Sequence, residues 1–586
     1  MTFAQLLEQV GGMGRFQILN VLLLCFPMVF MAAHNLLQNF TAAVPGHRCR
    51  VALNDTCGRN ATDGADCPAL LKAFIPAHGQ RTAQKCQRFV TPQWQLLEDN
   101  STGLEDAEAE TEACLDGWVY ENHTFASTVV TEWDLVCDFR TSQQMAQSIY
   151  MAGVLAGAVV FGGLSDKFGR KLLLIWSCFQ MAVSGSCAAF APSFAAYCIF
   201  RFLSGMALSG IGLNCVSLSV EWTPMRSRAT VSMVTGYSYS LGQFILAGIA
   251  YAIRDWRWLQ LAVSFPYFAF FLYSWWFAES ARWYATAGKL DRALEELQKV
   301  ARINRQKERG EKLSLEVLKA SLQKEMPSAD SRSSVADLVG TPMLRHITGC
   351  LCFVWFSTSF AYYGLAMDLQ NFGVSIYLIQ VIFGAVDIPA KLIAFLIISY
   401  LGRRLTQALS LILAGLSIIG NIFVPQDMHV LRTVFAVFGK GCLGASFNCV
   451  FLYTGELYPT VIRQTGMGFG NTMARIGGIV APLVRMTTEY SPALPLLVYG
   501  AAPIVSGIAA CFLPETLNVP LPDTIEDVEK QNPELLEKSK TSHDQSSSPD
   551  QASLHLKELK GTAENHRVQD GAEGKDAVTG VVCRSS

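Results

Sequence analysis

The chain alternates between long apolar stretches and short polar turns. Runs of about twenty largely apolar residues, the length a helix needs to cross a bilayer, lie at 16–39, 141–164, 171–191, 197–219, 230–252 and 258–278. A second set lies at 347–367, 375–399, 404–424, 432–454, 465–488 and 493–513. The pattern predicts an all-α membrane protein of twelve spans in two six-helix halves, 16–278 and 347–513. Polar segments frame them: an amphipathic lead-in at 1–15, a long loop at 40–140, a linker at 279–346 and a tail at 514–586.

The short turns carry an orientation. Lys167, Arg170, Lys171, Arg226, Arg228, Arg403, Arg404 and Arg463 fall on one side, against Arg254 and Arg257 on the other, with Arg432 at a margin. The basic side is predicted to be cytoplasmic. Both termini and 279–346 are then inside, and 40–140 is outside. That loop holds Cys49, Cys57, Cys67, Cys86, Cys114 and Cys137, an even set suited to an oxidising compartment. It also holds sequons at Asn54, Asn60, Asn100 and Asn122; the one at Asn39 sits too near the membrane. We expect a glycosylated, disulfide-bonded outer loop whose pairing the sequence does not choose. The linker has amphipathic patterns around Lys289–Ile303 and Leu313–Met326 and reads as a solvated helical segment. Past Pro514 the chain turns polar and reads as mostly disordered. The final Cys583-Arg-Ser-Ser matches a prenylation box only formally, with polar residues at its aliphatic positions. Glu8 interrupts the lead-in and the run from Phe16 is of spanning length, so no cleavable signal peptide is read.

Composition agrees with a polytopic protein: 586 residues, 51% hydrophobic, 16% charged, with 35 Phe and 46 Gly. A net charge of -2 gives nucleic-acid binding no support. No phosphate-binding Gly-rich loop, His-Glu-x-x-His helix or Cys-x-x-Cys pair occurs, and no nucleophile–base set is apparent. An enzyme, a metal and a cofactor are not expected.

The two halves echo each other. Glu221-Trp-Thr-Pro-Met-Arg-Ser-Arg228 closes the fourth span and Glu456-Leu-Tyr-Pro-Thr-Val-Ile-Arg463 closes the tenth, both reading Glu-x-x-Pro-x-x-x-Arg. Asp166-Lys-Phe-Gly-Arg170-Lys171 after span two matches Gly402-Arg403-Arg404 after span eight, with Ser399 in place of the aspartate. Duplicated halves are common in transporters, with the substrate site between them near the midplane. These motifs, with Glu279-Ser-Ala-Arg282 and Pro514-Glu515-Thr516, resemble the major facilitator fold. The resemblance implies a cytoplasmic charge network of Asp166, Arg170, Glu221, Arg228, Glu279, Arg282, Arg403, Glu456 and Arg463 that stabilises an outward-facing state. Met13-Gly-Arg-Phe-Gln, His34-Asn-Leu-Leu-Gln-Asn-Phe-Thr, Thr131-Glu-Trp-Asp-Leu-Val-Cys137, Phe360-Ala-Tyr-Tyr-Gly-Leu and Thr454-Gly-Glu-Leu-Tyr-Pro-Thr are similar to the organic anion transporter branch of solute carrier family 22. Within it, the likeness is greatest to the renal-type exchangers of organic anions for dicarboxylates. It runs from residue 1 to about 530. Cys57 and Cys67 look additional to a four-cysteine framework, and Gly212 stands where relatives carry serine.

Three cations are embedded in apolar spans. Arg475 has no acid three or four positions away and shares a small, polar face with Gly468, Asn471, Gly478 and Pro482. A buried charge in a membrane is costly and marks a cavity or a partner. A guanidinium suits a carboxylate. The alternative is a salt bridge to an acid on another helix. In cation carriers of the family this position is typically aspartate. Lys391 has Asp387 at i−4, so it serves either binding or a structural pair on its own helix, and the family implicates it in binding. Lys440 lies on a stripe with Gly444, Phe447 and Phe451. Aromatic residues in spans more often pack than bind. The resemblance raises Tyr239, Tyr362, Tyr363, Phe447 and Phe451 to binding candidates; Trp355, Asn35 and His34 are further candidates from their places in the spans.

The expectation is a multi-pass plasma-membrane antiporter working by alternating access, basolateral in epithelia by resemblance, with a homo-oligomer left open. It takes amphipathic organic anions such as aromatic carboxylates and, by resemblance, exchanges them for dicarboxylates such as 2-oxoglutarate. A cation or zwitterion carrier of the same fold is the nearest rival. A receptor binding its ligand through the outer loop is the rival of another class.

Overall fold

The computed structural model describes residues 3–51, 71–78, 82–94, 110–325, 335–425, 427–459, 461–519, 521–522 and 524–529. Twelve helices stand where the apolar runs are. In the first half they are α1 Arg15–Leu36, α2 Arg140–Phe168, α3 Arg170–Ala189, α4 Phe194–Trp222, α5 Arg228–Ala252 and α6, which is Trp256–Ser264 continued as Pro266–Ser274. In the second they are α7 Pro342–Ala366, α8 Ile376–Leu401, α9 Arg403–Phe423, α10 His429–Leu457, α11 Arg463–Arg485 and α12 Leu494–Ala510. Eight are long and apolar enough to cross a membrane on length and composition alone: α1 to α4 and α7 to α10. The others fall short for physical reasons. Pro266 divides α6, because its ring removes the donor that would bond back to the preceding turn. α5 and α11 spend polar residues such as Ser240, Gln243, Asn471 and Arg475 on the interior.

The halves meet along α2 against α11 and α5 against α8. Within the first half, α2 and α4 touch backbone to backbone: a Cβ on Gly153 would stand 2.2 Å from the Phe202 carbonyl, and one on Gly205 2.3 Å from that of Tyr150. Helix association in membranes relies on such close approach. We term the end of the bundle carrying residues 37–140 the loop end and the opposite one the basic end.

At the basic end the motifs assemble into two matching knots. Arg170 pairs with Asp166 at 3.1 Å and Glu221 at 3.3 Å, and Arg403 pairs with Glu456 at 2.9 Å. Glu279 accepts hydrogen bonds from the backbone N–H groups of Arg170 and Lys171 at the start of α3. Glu515 does the same for Arg403 and Arg404 at the start of α9. A carboxylate there meets both the unpaired donors and the positive end of the helix. Burial raises the Glu279 carboxyl above its usual range, opposed by those donors. Arg228 and Arg463 donate to the carbonyls of Thr223 and Tyr458. Arg282 is exposed, outside the knot in which its motif places it. Gly169 (φ 101°) and Gly402 (φ 88°) turn the chain into these caps. A Cβ on Gly169 would lie 2.3 Å from a Glu279 carboxylate oxygen. Gly169→Ala should therefore cost about 1–3 kcal/mol, read as a lower Tm of the purified protein. An unaltered Tm would mean that Glu279 swings clear without loss.

The linker is more than a solvated helix. Helices Leu290–Ile303, Lys307–Glu311 and Leu315–Glu325 bury Ala293, Leu297, Val300 and Leu318 with Phe3, Leu6 and Leu7 of the short helix Phe3–Gln9 and with Val10 just after it. Asn304 clamps the lead-in, accepting from the Phe16 N–H and donating to the Val10 carbonyl and Gln17. At the loop end, among the described residues, three two-stranded antiparallel pairs interrupt the all-helical pattern: His47–Cys49 with Trp118–Tyr120, Ala77–His78 with Thr82–Ala83, and Gln87–Phe89 with Thr111–Ala113. Disulfides join Cys49 to Cys114 and Cys86 to Cys137. Asn122 is exposed. Cys57, Cys67, Asn54, Asn60, Asn100 and the tail from 530 lie outside the described residues.

Candidate functional site

Six helices bring most of the sequence candidates to one region at mid-depth between the halves. From the first half, Asn35 on α1 accepts a hydrogen bond from the Tyr150 hydroxyl (3.0 Å) and donates to Tyr239 on α5 (3.5 Å). From the second, Tyr362 on α7 meets Tyr363 edge-on at 5.5 Å and Phe447 of α10 at 5.4 Å. Tyr363 lies beside Tyr239 and against α11 at Gly478, which closes the ring of aromatic and carboxamide groups.

The cations are arranged differently from their spacing. Asp387 does not pair with Lys391 one turn along α8. Its carboxylate turns instead to Lys440 of α10, at 3.1 and 3.3 Å, and accepts a third hydrogen bond from Gln243 of α5 at 2.7 Å. Lys440 is fully buried, with its ammonium 3.9 Å from the centre of the Tyr362 ring. The choice is physical. A fully enclosed ammonium needs a full counter-charge. Half-buried Lys391 is held by the Gly236 carbonyl (2.7 Å) and the Ser240 hydroxyl (3.1 Å) on α5. The cation that looked free from spacing is the neutralised one, and the one that looked paired is not.

Arg475 has no acidic partner among the described residues. One guanidinium nitrogen, Nη1, donates to the Val154 carbonyl of α2 and to Ser209 of α4, both at 2.7 Å. It therefore reaches across from α11 to the other half, and the alternative of a salt bridge does not hold. Trp355 is corrected: it is fully buried between α7, α10 and α11, bonded to Thr454 at 3.0 Å and covered by Phe451 at 4.6 Å. Phe451 is itself 44% exposed, beyond Phe447 toward the basic end. His34 is buried against Tyr267 and Ser264. Gly212 faces Met31 of α1, whose sulfur a Cβ would meet at 3.2 Å, so a serine there would press on α1.

Sequence reasoning missed Gln243, Ser209 and Arg201. Gln243 and Ser209 carry no periodic signal, since their role depends on which helices face each other. Among the described residues one grouping has metal-ligand geometry, His47 with Cys86 and Cys137. Both sulfurs are in the disulfide, so it offers no thiolate.

The comparisons with known proteins agree with this architecture. The family profile described as "Sugar (and other) transporter" matches residues 100–527. The chain is 58% identical over 530 residues to solute carrier family 22 member 6-B of Xenopus laevis, covering 90% of this chain and 95% of that one. Member 6 of Oryctolagus cuniculus is 57% identical over 534 residues, covering 90% and 94%. The chain belongs to the organic anion transporter branch of solute carrier family 22. Its fold is shared with the xylose transporter XylE from E. coli in a partially occluded inward-open conformation, at TM-score 0.56 and 12% identity, over 85% of this chain and all of that one. It is a multi-pass membrane transporter of the major facilitator superfamily.

Proposed function

We propose that this carrier takes up amphipathic organic anions across the plasma membrane in exchange for intracellular dicarboxylates, with the loop end outside. The observation that carries this is the charge of the cavity. Against the three cations Arg475, Lys391 and Lys440 stands one carboxylate among the site residues, Asp387, and it is paired with Lys440. Two positive groups remain, Lys391 held against α5 and Arg475 held against α2 and α4. A dicarboxylate complements both. A monovalent aromatic acid complements one and fills the apolar half with its ring. Asn35, Tyr239, Tyr362, Tyr363, Phe447 and Phe451 line that half, with Arg475 as the main anchor.

Alternating access accounts for the contacts between the halves. At the loop end Asn39 donates to the Ala366 carbonyl at 2.8 Å, Phe40 stacks on Tyr377, and Gln370 bonds the Val44 backbone. These close that side, and all must part for it to open. The capped knots at the basic end stiffen each half so that it can rock as a body. In proteoliposomes, internal 2-oxoglutarate should raise the initial uptake of p-aminohippurate several-fold over empty vesicles. Equal rates would sink the exchange step while leaving anion transport standing. Faster uptake of tetraethylammonium than of p-aminohippurate would favour the cation carrier.

A further inference from the structure

A second arginine is enclosed in the first half. Arg201, two turns from the loop end of α4, is fully buried, and none of its three guanidinium nitrogens has a hydrogen-bond partner among the described residues. The face of the Tyr150 ring on α2 covers it, 4.1 Å from the guanidinium carbon. Such a contact contributes roughly 2 kcal/mol when desolvated. The cost of an isolated buried charge is several times larger in effect, and arginine cannot escape it by losing its proton. Water could occupy the donors without balancing the charge. Acids at the loop end have other duties: Glu132 binds Arg257 and Trp256, and Asp255 caps α6 and holds Ser127.

Orphaned polar groups accompany the guanidinium. Gln147, one turn along α2 from Tyr150, is 2% exposed, with neither its amide nitrogen nor its oxygen bonded. The Gln38 amide nitrogen is likewise unpartnered, while its oxygen accepts from Tyr197, a helical turn before Arg201. Both glutamines line a pocket at the loop end between the halves, together with Gln143, Gln370 and Arg485. Arg485 there is already spent on Asp368 at 2.8 Å. Gln38 is bonded to Tyr197, one turn before Arg201, and Gln147 stands one turn from Tyr150, whose ring covers the guanidinium, so the orphaned amides lie between that pocket and the uncompensated cation.

We propose that Arg201 is a second anion site of this carrier, distinct from the Arg475 cavity and reached through the Gln38–Gln147 pocket. Enclosure on all sides restricts it to a compact negative group: a halide ion, or the carboxylate tip of a passing organic anion. The site does not depend on the exchange reading, because binding can be followed without transport.

Purified full-length protein should show a saturable rise in Tm when sodium gluconate is replaced by sodium bromide at constant ionic strength. In the Arg475→Gln background, which removes the anion anchor of the central site, the rise should persist, survive a further Arg201→Lys and vanish with a further Arg201→Gln. If the occupant is a carboxylate, the halide response is missing and Arg201→Gln instead raises the half-saturating concentration of anion supplied from the loop-end side about tenfold. Should Arg201→Gln not fold, anomalous diffraction from wild-type crystals soaked in bromide or in 4-bromobenzoate decides: a peak against Arg201 from either supports the site. A folded Arg201→Gln with unchanged halide response and unchanged half-saturation overturns the proposal, as does the lack of any peak at Arg201.

Discussion

Arg475→Asp should reduce p-aminohippurate uptake per surface copy by about two orders of magnitude, a loss of roughly 3 kcal/mol at tenfold per 1.4 kcal/mol. Only Nη1 of Arg475 is engaged, by Val154 and Ser209. Nε and Nη2 have no acceptor among the described residues and form the edge of the fork that a carboxylate accepts in two parallel bonds. Arg475→Lys keeps the charge but not the fork, so a smaller loss of about tenfold is expected. The aspartate removes a positive charge and adds a negative one beside Tyr363, leaving Lys391 as the single uncompensated cation of the cavity. Because Arg475 also ties α11 to α2 and α4, uptake has to be normalised to surface protein and accompanied by Tm. Uptake that is unchanged at equal surface level would remove Arg475 from the binding site. Uptake that falls only in proportion to Tm would make it a structural tie between the halves.

Much of this fold was legible as apolar runs, because a spanning helix must satisfy its backbone internally and present hydrocarbon to lipid. The spans with the weakest apolar signal, α5 and α11, are those that furnish Tyr239, Ser240, Gln243, Asn471 and Arg475 to the interior, so a faint signal was itself information about the site. The partners of the charges were less legible. Spacing along α8 suggested that Asp387 belongs to Lys391. The rotation of α8 relative to α10 assigns it to Lys440, and no one-dimensional pattern contains that rotation. Trp355 and Tyr362 stand two turns apart on one face of α7, so position alone did not separate them. Packing against Gly470 and Thr454 took the tryptophan out of the cavity. Arg201 could have been found. It lies inside the fourth span with no acid three or four positions away, the same criterion that singles out Arg475, though without the small polar face that surrounds Arg475.

Asp387→Asn should lower stability by about 3–5 kcal/mol, because it strands the enclosed Lys440 ammonium without its counter-charge. Lys440 is fully buried and Asp387 2% exposed, so neither has water to fall back on. Lys440→Met leaves the opposite charge stranded, and a loss of similar size is expected. The double variant removes both charges and should recover most of what either single loses; a buried pair replaced by neutral groups is often close to neutral in stability. A coupling of about 2–3 kcal/mol in that cycle, taken from the Tm values of purified variants, is the expected signature of a contact pair. Additive losses would mean that the two side chains act on separate structures. The cycle also separates stability from selectivity. With both charges gone, Arg475 and Lys391 keep the cavity at the same excess of positive charge, so the double variant should retain its preference for anions. Asp387→Asn alone leaves Lys391 free of a nearby carboxylate, and with Lys440 uncompensated the cavity gains one positive charge. The surviving folded fraction should then hold dicarboxylates more tightly and release them more slowly, lowering both the half-saturating concentration and the maximal exchange rate. A double variant that lost anion preference would move the selectivity from Arg475 to the Asp387–Lys440 pair.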